Sequence, residues 1–218
     1  MTPSSHYPKA VLFDLLTALL DSWTLWNRAA GSEQAGRTWR AEYLRLTYGC
    51  GAYVPYEELV RQAAANTGLP ASAAQALEEG WQTMEPWSGA AQTLQRLAPH
   101  CKLAVVTNCS MRLGRQAAAL LPVEWDLVLT SEEAGFYKPD PTPYRMTLDR
   151  LGVAPSEAAF VAGSSYDMFG TAATGLRTYW HNRIGLPLVE GAPQPELESR
   201  TLDELAPWLS RFMLPHQV

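Results

Sequence analysis

Five short apolar runs punctuate the chain: Ala10 to Phe13, Leu103 to Val106, Leu127 to Thr130, Ala159 to Val161 and Thr178 to Trp180. None alternates cleanly between apolar and polar residues, so a sheet built from them has no face suited to water. That is the pattern of parallel strands covered by helices on both sides, a doubly wound α/β arrangement. Helical patterns separate the later runs, over Ala90 to Leu97, Met111 to Leu120, Thr142 to Leu151 and Tyr166 to Thr174. Thr201, with Glu204 three residues on, is the expected N-cap of a last helix. Gly191 to Pro195 reads as an irregular surface loop.

Residues 21–87 break this rhythm. They hold no clear strand and read as several helices, among them Arg37 to Tyr48 and Tyr56 to Thr67, joined by turns bearing Gly and Pro. Five of the eight tryptophans fall here, Trp23, Trp26, Trp39, Trp81 and Trp87. The expected organisation is an α/β core from 1–20 and 88–218 and an inserted helical domain over 21–87.

Composition removes several classes of function. A net charge of −5 argues against a nucleic acid or an anionic membrane as the main partner, since either calls for a basic surface. The apolar stretch from Ala10 to Leu20 contains Asp14 and is too short to span a bilayer. Cys50, Cys101 and Cys109 form no CxxC pair, and His6, His100, His181 and His216 are scattered, so no zinc site is expected and a reducing cytoplasm is. Basic residues number 17, of which only Lys9, Lys102 and Lys138 are lysines.

In an open parallel sheet, chemistry gathers beyond the carboxyl ends of the strands. That rule selects Asp14, then Thr107 and Asn108, then Lys138 in the loop Tyr137-Lys138-Pro139-Asp140-Pro141, then the turn from Ser164 to Asp167. Taken singly, each has an ordinary role: Asp14 as a strand terminator, Thr107-Asn108 as a turn, Lys138 as a solvated loop residue, Asp167 as a first-turn acid favoured by the helix dipole. Jointly they converge on one edge.

This ordered set, Val11-Leu12-Phe13-Asp14, Val105-Val106-Thr107-Asn108, the Lys138 loop and Phe160-Val161 through Asp167, resembles the haloacid dehalogenase (HAD) superfamily, and the helical insert resembles its cap. The resemblance implies a Rossmann-like core and covalent catalysis in which Asp14 attacks carbon, forming an aspartyl ester that water opens. It implies further that Lys138 orients Asp14, that Asp167 supports Lys138 or the water, and that Thr107 and Asn108 bind a substrate carboxylate. Arg40 matches the cap arginine that closes over substrate and leaving group. Tyr144 matches another polar residue of the site, and Ser164 and Tyr166 occupy fourth-motif substrate positions.

The departures point to the L-2-haloacid dehalogenase branch. Leu16 stands where the phosphatases of the superfamily carry a second Asp, and Ala162-Gly163-Ser164-Ser165 lacks their additional acid, so neither a metal nor another cofactor is expected. Other positions differ from the dehalogenases too. Leu16 replaces a tyrosine, Ala18 an active-site threonine with Thr17 displaced by one, and Ala162, Ser164 and Tyr166 stand for Ser, Asn and Trp. The implied substrate is a small 2-substituted carboxylic acid, either a 2-haloacid or L-azetidine-2-carboxylate, whose ring nitrogen could lie against Trp23 and Trp26. Those two tryptophans equally suit packing between cap and core. A catalytically degenerate binding protein, a magnesium-dependent phosphatase and a homodimer stay open.

Overall fold

The structure, a computed structural model, describes residues 7–211; His6, His216 and the outer ends of the two core segments lie outside that range. One parallel sheet runs in the order β3-β2-β1-β4-β5-β6, with β1 Ala10–Phe13, β2 Lys102–Thr107, β3 Leu127–Thr130, β4 Ala158–Ala162, β5 Arg177–His181 and β6 Leu197–Ser199. The helices are α1 Ser22–Ala30, α2 Glu33–Gly49, α3 Tyr56–Asn66, α4 Ala71–Glu79, α5 Ala90–Leu97, α6 Met111–Ala118, α7 Ser131–Ala134, α8 Pro141–Leu151, α9 Asp167–Thr174 and α10 Leu205–Ser210. Among the described residues no helix is long and apolar enough to cross a membrane.

Strand β1 lies in the middle because both its faces are apolar. Val11 and Phe13 enter the core on one side of the sheet, Ala10 and Leu12 the core on the other, as the period of two requires. Two expectations are corrected at the far edge. Five strands were predicted, but Leu197–Ser199 adds a sixth beside β5; three half-exposed edge residues carry too little apolar pattern to announce a strand. Thr201 caps no helix: its Oγ1 accepts from the Asp203 amide at 3.4 Å within a turn, and α10 begins at Leu205.

The chain leaves the sheet after Leu20 and returns at Pro86, and these two residues pair in an antiparallel bridge. Between them, α1 to α4 bury an aromatic chain. Trp26 lies 4.6 Å from Trp39 and 5.4 Å from Tyr43, Tyr43 lies 5.4 Å from Tyr56, and Tyr56 lies 5.9 Å from Trp81. Two of the indole N–H groups are satisfied by backbone, Trp39 donating to Val60 O at 3.0 Å and Trp81 to Leu113 O at 2.9 Å. Truncating such a tryptophan costs about 3–5 kcal/mol. Trp81 thereby ties the insert to α6, as do Arg112 with Glu57 and Glu78, at 3.1 and 2.5 Å.

Candidate active site

Register brings the strand ends level. Phe13 pairs with Val105 on one side and Val161 on the other, so Asp14, Asn108 and the turn from Ser164 to Asp167 meet above β1, where the chain crosses over in opposite directions. The turn after β1 folds back on Asp14. Its Oδ2 accepts from the Thr17 amide at 2.9 Å, the Thr17 hydroxyl at 2.5 Å and the Ala18 amide at 3.2 Å. Among the described residues its Oδ1 accepts a single hydrogen bond, from Lys138 Nζ at 2.8 Å. Oδ2 is therefore saturated, while Oδ1 keeps a free lone pair.

Lys138 is 4% exposed and lies between two carboxylates, with Asp167 Oδ1 3.0 Å away. The same Asp167 oxygen accepts from the Tyr144 hydroxyl at 2.6 Å, and among the described residues no hydrogen bond reaches Asp167 Oδ2. Burial pushes the Asp14 carboxyl up, but the Lys138 ammonium and the Thr17 donors outweigh it and hold Asp14 below its ordinary range. Burial also pushes Asp167 up, and the Asp14 charge adds to that; Lys138 and Tyr144 recover only part, so Asp167 stays raised. Burial alone would lower Lys138, and the two carboxylates reverse this. One cation thus serves two unequal acids.

Asn108 holds the lysine loop in place. Its Oδ1 accepts from the Lys138 amide at 2.8 Å and from Ser131 Oγ at 2.8 Å, while its Nδ2 donates to Lys138 O at 2.9 Å. Asn108 also lines the cavity below, so this grip on the loop stands beside the expected contact with the substrate.

A cavity of about 220 Å³ opens over these groups, walled by Asp14, Leu16, Thr17, Asn108, Lys138, Ser164, Tyr166 and Asp167 from below and by Trp23, Trp26, Arg40, Tyr43, Leu44, Tyr48 and Tyr56 from the insert. Arg40 Nη1 donates to Ser22 Oγ at 3.0 Å, and its guanidinium lies 4.2 Å from the centre of the Trp23 ring and 5.7 Å from that of Trp26. Among the described residues it pairs with no carboxylate. Tyr48 and Tyr166 close one side with ring centres 4.4 Å apart.

Two expected contacts lie behind the wall. Thr107 is 1% exposed and faces Cys109, and Tyr144 is fully buried beneath Asp167; neither lines the cavity. In the other direction, reading the sequence passed over Thr17, Tyr43, Tyr48, Tyr56 and the segment Leu186, Pro187 and Val189. Thr17 could have been found from its spacing, since a Thr three residues after an Asp is placed to donate back to it. A second cavity, of about 320 Å³ between α3, α4 and Trp81, shares Tyr56 but contains no nucleophile beside a base. Leu16, on the wall, offers a metal no ligand, and among the described residues no group of three or more His, Cys, Asp or Glu side chains is placed to hold a metal ion.

This constellation can be set beside known proteins. Residues 11–181 match the family described as haloacid dehalogenase-like hydrolase. The (S)-2-haloacid dehalogenase 4A of Burkholderia cepacia is 32% identical over 139 residues, a stretch that spans 62% of this chain but only 60% of that protein. The (S)-2-haloacid dehalogenase H-109 of Pseudomonas putida is 25% identical over 92% of this chain and 97% of its own length. A crystal structure of a dehalogenase with an intermediate complex superposes with a TM-score of 0.82, at 26% identity, over 94% of this chain and 98% of that one. The chain therefore belongs to the haloacid dehalogenase-like hydrolases, on the side of that family where the 2-haloacid dehalogenases lie.

Proposed function

We propose that the protein hydrolyses a small 2-haloacid through an ester on Asp14. The observation that carries this reading is the pairing of two features across one cavity: a carboxylate with one free oxygen lone pair, held ionised by a buried lysine, and, facing it, an arginine that pairs with no carboxylate among the described residues.

In the first step Asp14 Oδ1 attacks the carbon beside the substrate carboxylate, and the carbon–halogen bond breaks with its electron pair on the halide. Arg40 supplies the positive charge that receives the substrate's anionic groups, by charge-assisted hydrogen bonds. In the second step water adds to Asp14 Cγ and its proton passes to Asp167 Oδ2, a base whose raised pKa suits the task. The negative charge then resides on Asp14 Oδ2, where the Thr17 and Ala18 donors already point. On collapse the bond from Cγ to Oδ1 breaks, the proton held by Asp167 passes to the departing oxygen, and a 2-hydroxy acid that carries the original Oδ1 leaves, while water oxygen stays in Asp14. Halide and one proton complete the balance.

Opening of L-azetidine-2-carboxylate by the same ester route is the second reading, supported by the ring faces of Tyr48 and Tyr166 on the wall. A cationic ring nitrogen would compete with Arg40 for the Trp23 face, which places the halide first. A single turnover in ¹⁸O-water with (S)-2-chloropropionate and with L-azetidine-2-carboxylate tests both. Label in Asp14, with release of halide or of an amino-hydroxy acid, identifies the substrate; label directly in product would refute the ester. Asp14→Asn should be inert.

A further inference from the structure

We propose that Trp87 is a positioning residue for the hydrolytic step: it holds and polarises the peptide whose N–H must carry charge on Asp14 Oδ2. The proposal rests on the ester reading above. Trp87 stands where the helical insert rejoins the core and is not itself among the residues lining the cavity. Its indole Nε1 donates to Thr17 O at 3.0 Å, and its own amide donates to Leu19 O at 2.8 Å. Thr17 O and the Ala18 N–H are the two ends of one peptide unit, and that N–H donates to Asp14 Oδ2 at 3.2 Å.

A donor on the carbonyl draws electron density through the amide, so the N–H at the other end becomes a stronger donor; such chains strengthen each bond by roughly 10–30%. One further contact bears on this unit and another on its neighbour. A Cβ on Gly163 would come within 2.3 Å of Ala18 N and 2.4 Å of Thr17 C, so the backbone at 163 lies directly against the peptide plane. The next carbonyl along, Ala18 O, lies 2.7 Å from His181 Nδ1. Trp87 is thus the donor on the far end of a peptide packed against the backbone at Gly163, with the histidine holding the peptide that follows it.

The two chemical steps use this peptide in opposite ways. When Asp14 is alkylated it loses negative charge, so donors on Oδ2 favour the starting carboxylate. When water adds to the ester, Oδ2 gains a full charge and the same donors favour the transition state. Weakening the Ala18 N–H should therefore slow ester hydrolysis and leave alkylation unchanged or slightly faster. A residue that only supports the fold would slow both.

The test is Trp87→Phe, together with the chain carrying the benzothiophene isostere of tryptophan at position 87, which preserves the ring shape and lacks only the N–H. With (S)-2-chloropropionate, halide burst and ester decay are followed in single turnovers, and intact-protein mass reports the ester. The expected result is ester decay slowed about 1.3- to 5-fold, the size of a 10–30% weakening of one charge-assisted hydrogen bond, with alkylation and kcat/KM preserved and more ester at steady state. Unchanged ester decay in the isostere protein, or an equal fall in both steps, would overturn the proposal. Absence of an ester in the wild-type protein would instead remove the functional reading itself, and this proposal with it.

Discussion

Replacing Lys138 separates charge from fit. Its Nζ lies 2.8 Å from Asp14 Oδ1 and 3.0 Å from Asp167 Oδ1, which at an effective dielectric constant of about 20 corresponds to attractions of about 6 and 5.5 kcal/mol. Desolvation of the ammonium cancels much of this, and removing one partner of such a buried group costs about 3–5 kcal/mol net. In Lys138→Met two buried carboxylates would face each other without a cation, and one must take a proton. Burial, already the largest influence on Asp14, would then act unopposed by the ammonium, so the nucleophile is protonated at higher pH. The alkylation rate at neutral pH should fall by about two to four orders of magnitude, and its acid limb should move to higher pH. Lys138→Arg keeps the charge but forces a planar fork into a buried site beside the Phe160 ring, whose centre is 5.3 Å from Nζ. It should leave the acid limb in place and still lose at least about tenfold in rate through overpacking. Rapid-quench measurement of halide release against pH reads both variants. An unmoved acid limb in Lys138→Met would refute the electrostatic argument, and wild-type turnover in Lys138→Arg would refute the argument from fit.

Arg40→Gln should lower kcat/KM for an anionic substrate by about 10- to 150-fold, the worth of a charged hydrogen bond at about 1.5–3 kcal/mol, and a much smaller loss on the methyl ester of the same acid would show that the interaction is with the carboxylate. Tyr144→Phe removes a donor that lowers the Asp167 pKa, so the acid limb of ester hydrolysis should shift upward while alkylation keeps its profile; identical shifts in both steps would contradict the assignment of Asp167 as base. Stability should follow three opposed titrations. Asp14 is depressed below 3.8, so its contribution is full above that value and lost as pH falls through the lower folded one; Lys138 is raised above 10.5, so its contribution persists until pH rises through that higher value. Asp167, raised, works against Asp14 and makes the folded state lose stability as pH climbs from 3.8 through its own range; denaturant midpoints of Asp167→Asn should therefore lack that fall above 3.8 while keeping the rise below it that Asp14 gives.

The core strands were legible because burial on both faces leaves an unmistakable apolar run, and a sheet edge such as Leu197–Ser199 was not, because three half-exposed residues carry no such mark. In the site the division follows charge. Asp14, Lys138 and Asp167 stood out as ionisable residues at strand ends, whereas Thr17 and Trp87 act through a hydroxyl, an amide and an indole N–H, groups common enough that only geometry singles them out. Arg40 and Trp23 were visible as residues, but their stacking, which turns a presumed cation-binding wall into the support for a cation, was not. The three lysines make the point most sharply. Lys9 pairs with Glu157 at the surface, Lys102 donates to Leu151 O at 2.8 Å from an exposed strand end, and Lys138 lies buried between two acids. Their scarcity in the sequence justified asking what each does, but the answer depends on strand register: Phe13 opposite Val161 places Asp14 and Asp167 at one height, and Asn108, gripping the Lys138 backbone from the end of β2, delivers the ammonium between them. A lysine anchored less firmly would trade that position for water, so the asparagine that reads in sequence as a substrate ligand contributes to nucleophile activation through the loop it holds.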